Sequence, residues 1–474
     1  MAAAEELCSL PAADVIDLLK TGKVSPLELV DAAAARVAEV EPKLNALPTL
    51  CFDRARERAK ALMAAPRGER PPHFLYGLPI AVKDNVDVAG VRCTHGSRVH
   101  ERRMSPASDL VVERLEANGA LVVAKSNLPE FAAGGNTFND VFGVTRNPWH
   151  TAYTPGGSSG GSAAALAAGE VWFATGSDFG GSIRQPASHC SIVGLRPTPG
   201  RVARIQKQAF SPLSVEGPLA RNVLDCALMF DAEAGAHPLD PLSLGFANES
   251  CAAAARAPRA PKRVAYSVDL GVAPVVDREV ATICKRAMEA LAQTGVKVEE
   301  AHPQLEDTAR AFPVLRGAVF AGRFREMLAE HRGTLKPEIV ENTEYGLGLT
   351  VPDVLAAEFV QGDTIRRMAK FFERHDLLIC PAVLCPPPRV EERYVARVEG
   401  HALPGYMDWL IMTWVITVTA CPVLALPCGF TAAGLPVGLQ VIGPRGSEAS
   451  LFAFGAFLED VFALKRAVPV DPQP

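Results

Sequence analysis

Two serines in this chain are flanked by glycines in a way that suits a nucleophile. Ser158 and its neighbour Ser159 lie in the segment GGSSGG, and Ser182 lies in DFGGSIR. Glycines on either side let the backbone turn sharply and leave room for a substrate carbonyl. Successive N–H groups in such a turn can bind an anion. The pattern therefore predicts a serine nucleophile beside an oxyanion hole.

A lysine in an apolar segment could supply the base that such a serine needs. Lys83 follows Ile80, Ala81 and Val82 in the run GLPIAVKDNVDVAG, which is predicted to be a buried strand. On an edge strand, a lysine would extend its head group to water. In a buried strand, desolvation would lower the pKa of the amine until its neutral form could accept a proton. The two serine loops favour the buried interpretation.

These motifs, together with the closing phrase VGLRPT, resemble the signature of the amidase signature family, serine hydrolases with a Ser–cis-Ser–Lys triad. The order of the motifs and the separations between them are also similar, and the resemblance extends over almost the whole chain. It implies that Lys83 is the base and that Ser158, after a cis Gly157–Ser158 bond, relays the proton. Ser182 would then be the nucleophile.

The resemblance also implies roles for residues around the nucleophile. The oxyanion would be held by the backbone N–H groups of Phe179, Gly180, Gly181 and Ser182. Ala132, in the loop SNLPEFAAGGNTFNDVFG, would lie nearest the scissile carbonyl in the wall that binds the acyl group.

Three polar residues near Ser182 are expected to be structural. Asp178 is expected to cap N–H groups of its own turn, and Arg184 is expected to brace the loop. His189 is interpreted as a local hydrogen-bonding residue, because the family chemistry requires no histidine.

A competing interpretation uses Ser159 instead. The segment from Gly157 to Gly161 fits the GxSxG nucleophile elbow of α/β-hydrolases, which requires an acid and then a histidine downstream. None of the candidate histidines lies in a recognisable motif; they are His302, His331, His375 and His401. This interpretation also leaves Lys83 and Ser182 unused, so the amidase-signature interpretation is preferred.

Composition excludes several other classes of protein. The 474 residues are 48% hydrophobic and 21% charged, an ordinary globular balance. A net charge of −5 without a basic patch argues against a nucleic-acid partner. Eleven cysteines without a CxxC pair favour reduced thiols in a cytoplasmic protein over disulfides or zinc, and the N-terminus lacks signal-peptide features. Neither a metal nor a cofactor is expected.

We predict a single large α/β domain with a mixed twisted β-sheet covered by helices on both faces. Residues 1–70 would form a helical wrap, 75–230 the catalytic core, 231–375 a variable region that determines the substrate, and 376–474 the strands that complete the sheet. The helical wrap would include a helix opening at Ser25-Pro26.

Two further segments carry specific structural expectations. The run SVEGPLARNVLDCALMFDAEAG is interpreted as a loop that leads into a helix. The twenty uncharged residues from Trp409 to Cys428 have the length of a membrane span, but Pro422 and Pro427 interrupt them. A buried helix followed by core strands is therefore predicted, and no membrane partner.

Three classes of function remain open: a stand-alone amidase that acts also on esters or carbamates, the glutaminase subunit of a tRNA-dependent amidotransferase, and an inactive binding relative. The complete set of Lys83, Ser158 and Ser182 disfavours the last. The segment RQPAS favours the amidotransferase subunit, whereas the region from Tyr406 to Val418 lacks the sequence motif expected of that subunit. The stand-alone amidase is preferred, with a small-molecule amide as its partner; a homodimer is compatible with the sequence.

The residues expected to line the pocket are small or aromatic. They are the segment FAAGGNTF, Phe179 and the surroundings of Trp409 and Trp414. Three arginines that are predicted to lie on one helix are expected to form a solvated face; they are Arg316, Arg323 and Arg325. With few cationic anchors, neutral aryl or alkyl amides are expected to be better substrates than glutamine.

Overall fold

The computed structural model describes residues 4–66, 68–246, 249–463 and 468–474. Residues 1–3 lie outside this part; they belong to the N-terminal segment in which the sequence shows no signal-peptide features. The described α-helices are α1 (Ala4–Ser9), α2 (Ala12–Thr21), α3 (Pro26–Leu44), α4 (Phe52–Ala64), α5 (Leu110–Ala117), α6 (Gly160–Ala167), α7 (Arg184–Cys190), α8 (Val223–Glu233), α9 (Cys251–Ala255), α10 (Arg278–Gln293), α11 (Glu306–His331), α12 (Pro337–Leu347), α13 (Val351–Phe372), α14 (Ile411–Thr417) and α15 (Glu448–Phe462).

The described strands are β1 (Thr49–Leu50), β2 (Pro79–Lys83), β3 (Leu121–Ser126), β4 (Phe138–Asn139), β5 (Gly143–Val144), β6 (Phe173–Asp178), β7 (Val193–Arg196), β8 (Val215–Ala220), β9 (Arg263–Tyr266), β10 (Lys297–Glu300), β11 (Leu377–Pro381), β12 (Arg397–Val398), β13 (His401–Ala402), β14 (Val423–Phe430) and β15 (Pro436–Ile442). Eleven of them form one sheet in the order β1-β3-β2-β6-β8-β7-β14-β15-β11-β9-β10. Strand β2 is parallel to β3 and β6, and β9 is parallel to β10 and β11. The pairs in the middle of the sheet, from β6 to β15, are antiparallel. The sheet is mixed, as predicted.

Helices cover both faces of this sheet. Along β2, Ile80 and Val82 pack in the cluster that contains the buried faces of α8, α10 and α15. Ala81, which points to the opposite face, packs with α6 and α7. The chain is therefore a single domain around one large sheet, and its fold class agrees with the prediction.

The helix predicted to open at Ser25-Pro26 is α3. The Ser25 hydroxyl accepts from the N–H of Glu28, and the Glu28 carboxylate accepts from the N–H of Ser25, so the helix begins with a complete capping box. Pro26 occupies the first turn, where its missing N–H has no cost.

The uncharged segment near the C-terminus forms a short buried helix and a core strand. Helix α14 covers only Ile411–Thr417, and Val423–Phe430 is strand β14, paired with β7 and β15. Within the described residues, no helix has both the length and the apolarity to cross a membrane.

The segment SVEGPLA was expected to be a loop, and this expectation is wrong. It forms strand β8, antiparallel to both β6 and β7. Gly217 and Pro218 are turn-forming residues, but pairing on both sides overrides that local preference. The strand matters for the site because it places Glu216 opposite Ser177.

Candidate active site

The three signature motifs meet at the carboxyl ends of two neighbouring parallel strands. Lys83 is the last residue of β2, and Asp178 is the last residue of β6. The register pairs Ala81 with Ala174, so both strands end at the same edge of the sheet. Ser158 lies just before α6, and Ser182 lies just before α7. Carboxyl ends of parallel strands are common places for ligands in α/β folds.

Lys83 is fully buried and contacts three serine hydroxyls. Its Nζ lies 2.7 Å from Ser158 Oγ, 2.8 Å from Ser159 Oγ and 3.0 Å from Ser177 Oγ. An ammonium group has three protons to donate, so the charged form satisfies all three hydroxyls. The neutral amine donates two protons and accepts one, and can take the proton of Ser158. The buried-lysine interpretation of Lys83 is confirmed.

Burial lowers the pKa of Lys83 to about 7, although the negative charges of Glu216 and Asp178 oppose this effect. Desolvation penalises the charged amine more than the neutral one, which explains the direction of the shift. A pKa near neutrality gives a large fraction of free base at the pH of a cell, which is the property that a general base needs.

We expect kcat/KM to rise with pH through an apparent pKa near 7, because protonated Lys83 cannot accept a proton. The base is active above this pKa and inactive below it. The profile is measured with a neutral amide, whose own charge does not change. Glu216→Gln should move the rise to lower pH, since it removes a negative charge that stabilises the ammonium form. If kcat/KM did not change with pH through the neutral range, the assignment of Lys83 as the base would be contradicted. If the rise in kcat/KM disappeared in Glu216→Gln, the titrating group would be Glu216.

Ser158 and Ser182 line one cavity of about 390 Å³. The Gly157–Ser158 peptide bond is cis, as predicted. Ser158 is fully buried, whereas Ser182 is partly accessible from the cavity, as a nucleophile must be. Among the described residues no hydrogen bond joins the two hydroxyls, and the Ser182 hydroxyl makes none. Catalytic hydrogen bonds often tighten only when substrate is bound.

The turn that carries Ser182 is fixed by Asp178, as predicted. Its carboxylate accepts from the N–H groups of Gly181 (3.0 Å) and Ile183 (3.2 Å). Arg184 binds both carboxylate oxygens, at 3.0 and 2.9 Å, and Arg196 donates to the same group. Although burial opposes ionisation, these two arginines hold the pKa of Asp178 well below its usual range. Asp178 and Arg184 therefore have the structural roles expected of them.

The backbone N–H groups predicted to bind the oxyanion differ in whether they already donate a hydrogen bond. The N–H of Gly181 already donates to Asp178, whereas those of Phe179, Gly180 and Ser182 donate to no other group within the described part of the chain. Gly181 has φ +114°, and a Cβ there would lie 2.1 Å from Thr413 Oγ1. No other residue fits this close approach. The N–H groups of Phe179, Gly180 and Ser182 are thus the ones available to an oxyanion.

Ala132 lines the cavity, as the resemblance implies. It follows Phe131, and both have positive φ, 48° and 58°, a left-handed conformation unusual outside glycine. Lys336 holds this loop in place: its Nζ donates to the Ala133 carbonyl, and its N–H donates to Glu130 at 2.8 Å. Sequence reasoning missed Lys336, since nothing in the sequence links it to this loop.

Two further site residues were missed although they lie beside recognised motifs. Ser177, one residue before Asp178, accepts from both Lys83 and Asn85, the latter at 3.2 Å. Asn85 follows Lys83 by two residues and also lines the cavity. Their positions next to the base and nucleophile motifs were the only available signal.

The expectation of a solvated arginine face is wrong for one of the three arginines. Arg316 is buried, so it does not belong to a solvated face, whereas Arg323 is exposed to solvent and also lines the cavity. Both line the cavity because α11 packs beside the nucleophile loop, which its sequence alone could not show. Arg325 is exposed and paired with Glu326, as expected.

The two tryptophans of the expected wall segment lie in the core themselves. Trp409 stacks on His189, and Trp414 stacks on Phe312, both within the core. Met407 and Leu410, which belong to the segment near Trp409, line the cavity, as expected of that segment.

The alternative nucleophile, Ser159, has the wrong neighbours for an α/β-hydrolase. Its hydroxyl contacts Lys83 and, at 3.5 Å, the Ser177 carbonyl; no described histidine is bonded to it. Of the candidate histidines, His375 binds Glu299 of β10, the outermost strand of the sheet. The geometry therefore favours the lysine-based arrangement.

One group of side chains has metal-ligand types. One ligand atom from each of Asp87, Cys93 and His95 lies within 4.8 Å of the others. Asp87, however, is bound in a bidentate pair to Arg103, at 2.6 and 2.5 Å. Burial raises the pKa of the Cys93 thiol to about 12, which disfavours the thiolate that binds metals. The cluster is explained by the ion pair.

A buried lysine bonded to serines, beside a glycine-rich turn that carries another serine, defines a hydrolase of the amidase class. The amidase family model matches residues 28–452, and the chain belongs to this family, that of the amidase signature enzymes. It is an amide-hydrolysing enzyme.

Individual relatives differ in their described activities. The chain is 35% identical to a glutamyl-tRNA(Gln) amidotransferase subunit from Moorella thermoacetica, over 94% of this chain and 95% of that protein. Its structure is similar to that of a bacterial aryl acylamidase, with a TM-score of 0.88, 26% identity and coverage of 98% and 99%. It is also similar to a 6-aminohexanoate cyclic dimer hydrolase, with a TM-score of 0.84, 26% identity and coverage of 96% and 97%.

Proposed function

We propose that this protein is a stand-alone serine hydrolase that cleaves carboxylic amide C–N bonds through an acyl-enzyme on Ser182. Lys83 is the base and Ser158 relays the proton. The observation that carries the proposal is the buried 2.7 Å contact between Lys83 Nζ and Ser158 Oγ, beside a cavity into which Ser182 is exposed.

Acylation of Ser182 requires two proton transfers, one from each serine hydroxyl. Neutral Lys83 takes the proton of Ser158, and Ser158 takes the proton of Ser182 while Ser182 Oγ attacks the carbonyl carbon. The developing oxyanion is stabilised by backbone N–H groups of the Phe179–Ser182 turn, of which only that of Gly181 is already engaged by a described residue. Removal of one such donor typically costs about 10²–10³ in rate.

The same relay then runs in reverse. The proton on Lys83 passes through Ser158 to the leaving nitrogen, so that the C–N bond breaks and a neutral amine departs. Water next attacks the ester of Ser182 and gives its proton to the same relay. The acid and Ser182 are released, and Lys83 is neutral again.

The relay suits amides because an amine leaves only after protonation. A base whose pKa is near 7 can take the proton and give it back within one cycle. Activated esters need less help, and carbamates fit the same chemistry.

The alternative is the glutaminase subunit of a tRNA-dependent amidotransferase, which the 35% identity to such a protein favours. The likeness to an aryl acylamidase and to a 6-aminohexanoate cyclic dimer hydrolase supports the stand-alone assignment. The C-terminal region from Tyr406 to Val418, which lacks the phrasing of the amidotransferase, supports it as well. We expect a cytoplasmic enzyme, since all eleven cysteines are free thiols.

The purified protein alone should hydrolyse simple amides. The assay compares a panel of amides, esters, carbamates and glutamine, first without any other protein. Ammonia or amine release from simple amides by the isolated chain supports the stand-alone enzyme. The alternative would be established if glutamine were the only substrate of the panel to be hydrolysed, and if its hydrolysis required the partner subunits of an amidotransferase.

A further inference from the structure

The cavity beside Ser182 is lined by four cationic side chains and, within the described part of the chain, by no aspartate or glutamate. Arg204 and Lys207 belong to the connection between β7 and β8, and Arg316 and Arg323 belong to α11. In a protein with a net charge of −5, such an excess of positive charge in one cavity needs an explanation. An anionic ligand supplies it.

Arg323 has no partner of its own. Its guanidinium makes no ion pair or hydrogen bond with any residue that the structure describes, and it lies 5.0 Å from the ring centre of Phe324. Desolvation by the atoms around it, and then the like charge of Arg204, lower the pKa of Arg323 to about 10, although the negative charge of Glu216 opposes this shift, so Arg323 stays a cation at neutral pH. Its planar fork is open to a carboxylate.

Arg316 is held rigidly and only by neutral groups. Its Nη2 donates to the Tyr406 hydroxyl at 2.7 Å, and its Nε donates to Asn342 Oδ1 at 3.2 Å. The guanidinium also lies 4.2 Å from the ring centre of Phe320 and 5.4 Å from that of Phe179. No described carboxylate neutralises it, and its Nη1 donates to no described residue. Arg316 is therefore preorganised and still charged.

The other two cations contribute less to a specific site. Arg204 lies 3.6 Å from Glu216 and donates to Ser214 at 2.6 Å, so its charge is partly balanced. Lys207 is exposed to solvent. The two arginines of α11 are thus the groups that an anion in the cavity would meet.

The position of these arginines indicates which part of the substrate they meet. Phe324, next to Arg323, packs on Phe131 with ring centres 5.0 Å apart, and Phe131 precedes Ala132 in the loop assigned to the acyl wall. Phe179, under Arg316, is part of the nucleophile turn. Both arginines thus line the same cavity as the loop assigned to the acyl wall.

We propose that the natural substrate is an amide whose acyl part carries a carboxylate and no ammonium group, such as the half-amide of a dicarboxylic acid. This inference rests on the proposed function. Arginines bind carboxylates by paired, charge-assisted hydrogen bonds. An ammonium group, in contrast, finds no carboxylate in the described lining and meets like charges instead. Hydrolysis breaks the C–N bond, forms a C–O bond with water, and yields a dicarboxylate and ammonia or an amine.

Matched pairs of substrates test the proposal. The half-amides from malonamate to adipamate are compared with the neutral primary alkanamides of the same chain length, and glutaramate is compared with glutamine. We expect the best half-amide to exceed its neutral counterpart by about 10–100-fold in kcat/KM, the size of a charge-assisted hydrogen bond. Glutaramate, which lacks only the α-ammonium group, should exceed glutamine.

Arg323→Gln should remove most of this preference, measured as the ratio of kcat/KM for each half-amide to kcat/KM for its neutral alkanamide with the same variant. Arg323 is solvent-accessible, so the variant should fold. Arg325→Gln is the matched control, because Arg325 lies on the same helix, is exposed and is paired with Glu326 outside the cavity. It should behave as the wild type on every substrate.

The outcomes separate this inference from the proposed function. If neutral alkanamides match every half-amide, or if Arg323→Gln leaves the preference intact, the anionic-substrate inference is wrong while the amidase assignment stands. If glutamine matches glutaramate, the exclusion of an ammonium group is wrong. If no amide is hydrolysed and Ser182 resists acylation by serine-directed probes, the proposed function itself fails.

Discussion

Ser182→Ala is expected to reduce amide hydrolysis by at least about 10⁴-fold, because no other group can form the acyl-enzyme. Ser182 is partly open to the cavity, and it stands in the turn whose N–H groups are proposed to bind the oxyanion. The measurement is kcat/KM on the best amide of the panel, with the thermal unfolding midpoint as a check on folding. The midpoint should change little, since the Ser182 hydroxyl makes no hydrogen bond within the described residues.

Ser159→Ala is the matched control for this change. Ser159 is also a serine in a glycine-rich loop and contacts Lys83 at 2.8 Å, but it is fully buried. The variant should keep far more activity than Ser182→Ala, since Lys83 keeps its contact with Ser158. If instead Ser159→Ala removed all activity and Ser182→Ala were active, the nucleophile-elbow interpretation would replace the present one.

Lys83→Met is expected to lower amide hydrolysis by about 10²–10⁴-fold, the usual contribution of general acid–base catalysis. Methionine keeps most of the aliphatic stem and avoids a cavity at a fully buried position. The effect on activated esters should be much smaller, because their leaving groups need no proton. The measurement is the ratio of amide to ester kcat/KM in the variant and the wild type.

The unfolding midpoint checks that Lys83→Met folds. The substitution removes a buried amine that is costly to charge, but it also leaves the hydroxyls of Ser158, Ser159 and Ser177 without their bond to Nζ, so the midpoint should fall modestly. Amide turnover near the wild-type level, or equal losses on amides and activated esters, would rule out Lys83 as the group that takes and returns the proton.

The parts of the site that the sequence predicted are those fixed by local backbone geometry. Lys83 ends a short apolar strand, and Asp178 caps the turn three residues before Gly181, so each pattern lies within a few residues. The capping box at Ser25 is local in the same way. Such patterns can be interpreted without knowing what packs against them.

The parts that could not be predicted depend on packing between distant segments. Arg316 and Arg323 had the appearance of a solvated helix face, and only the position of α11 beside Phe179 and Phe131 turns them toward the cavity. Lys336 reaches a loop some two hundred residues away in the chain. Strand β8 overrides turn-forming residues because strands pair on both of its sides. Sequence periodicity carries no information about such partners.

The most direct test of Ser182 as the nucleophile is the position of a covalent label. A fluorophosphonate probe reacts with an activated serine, and peptide mapping by mass spectrometry identifies the modified residue. We expect a single adduct on Ser182, abolished in Ser182→Ala, preserved in Ser159→Ala and formed much more slowly in Lys83→Met. An adduct on Ser159 or Ser158 in the wild-type enzyme would contradict the assignment of Ser182 as the nucleophile.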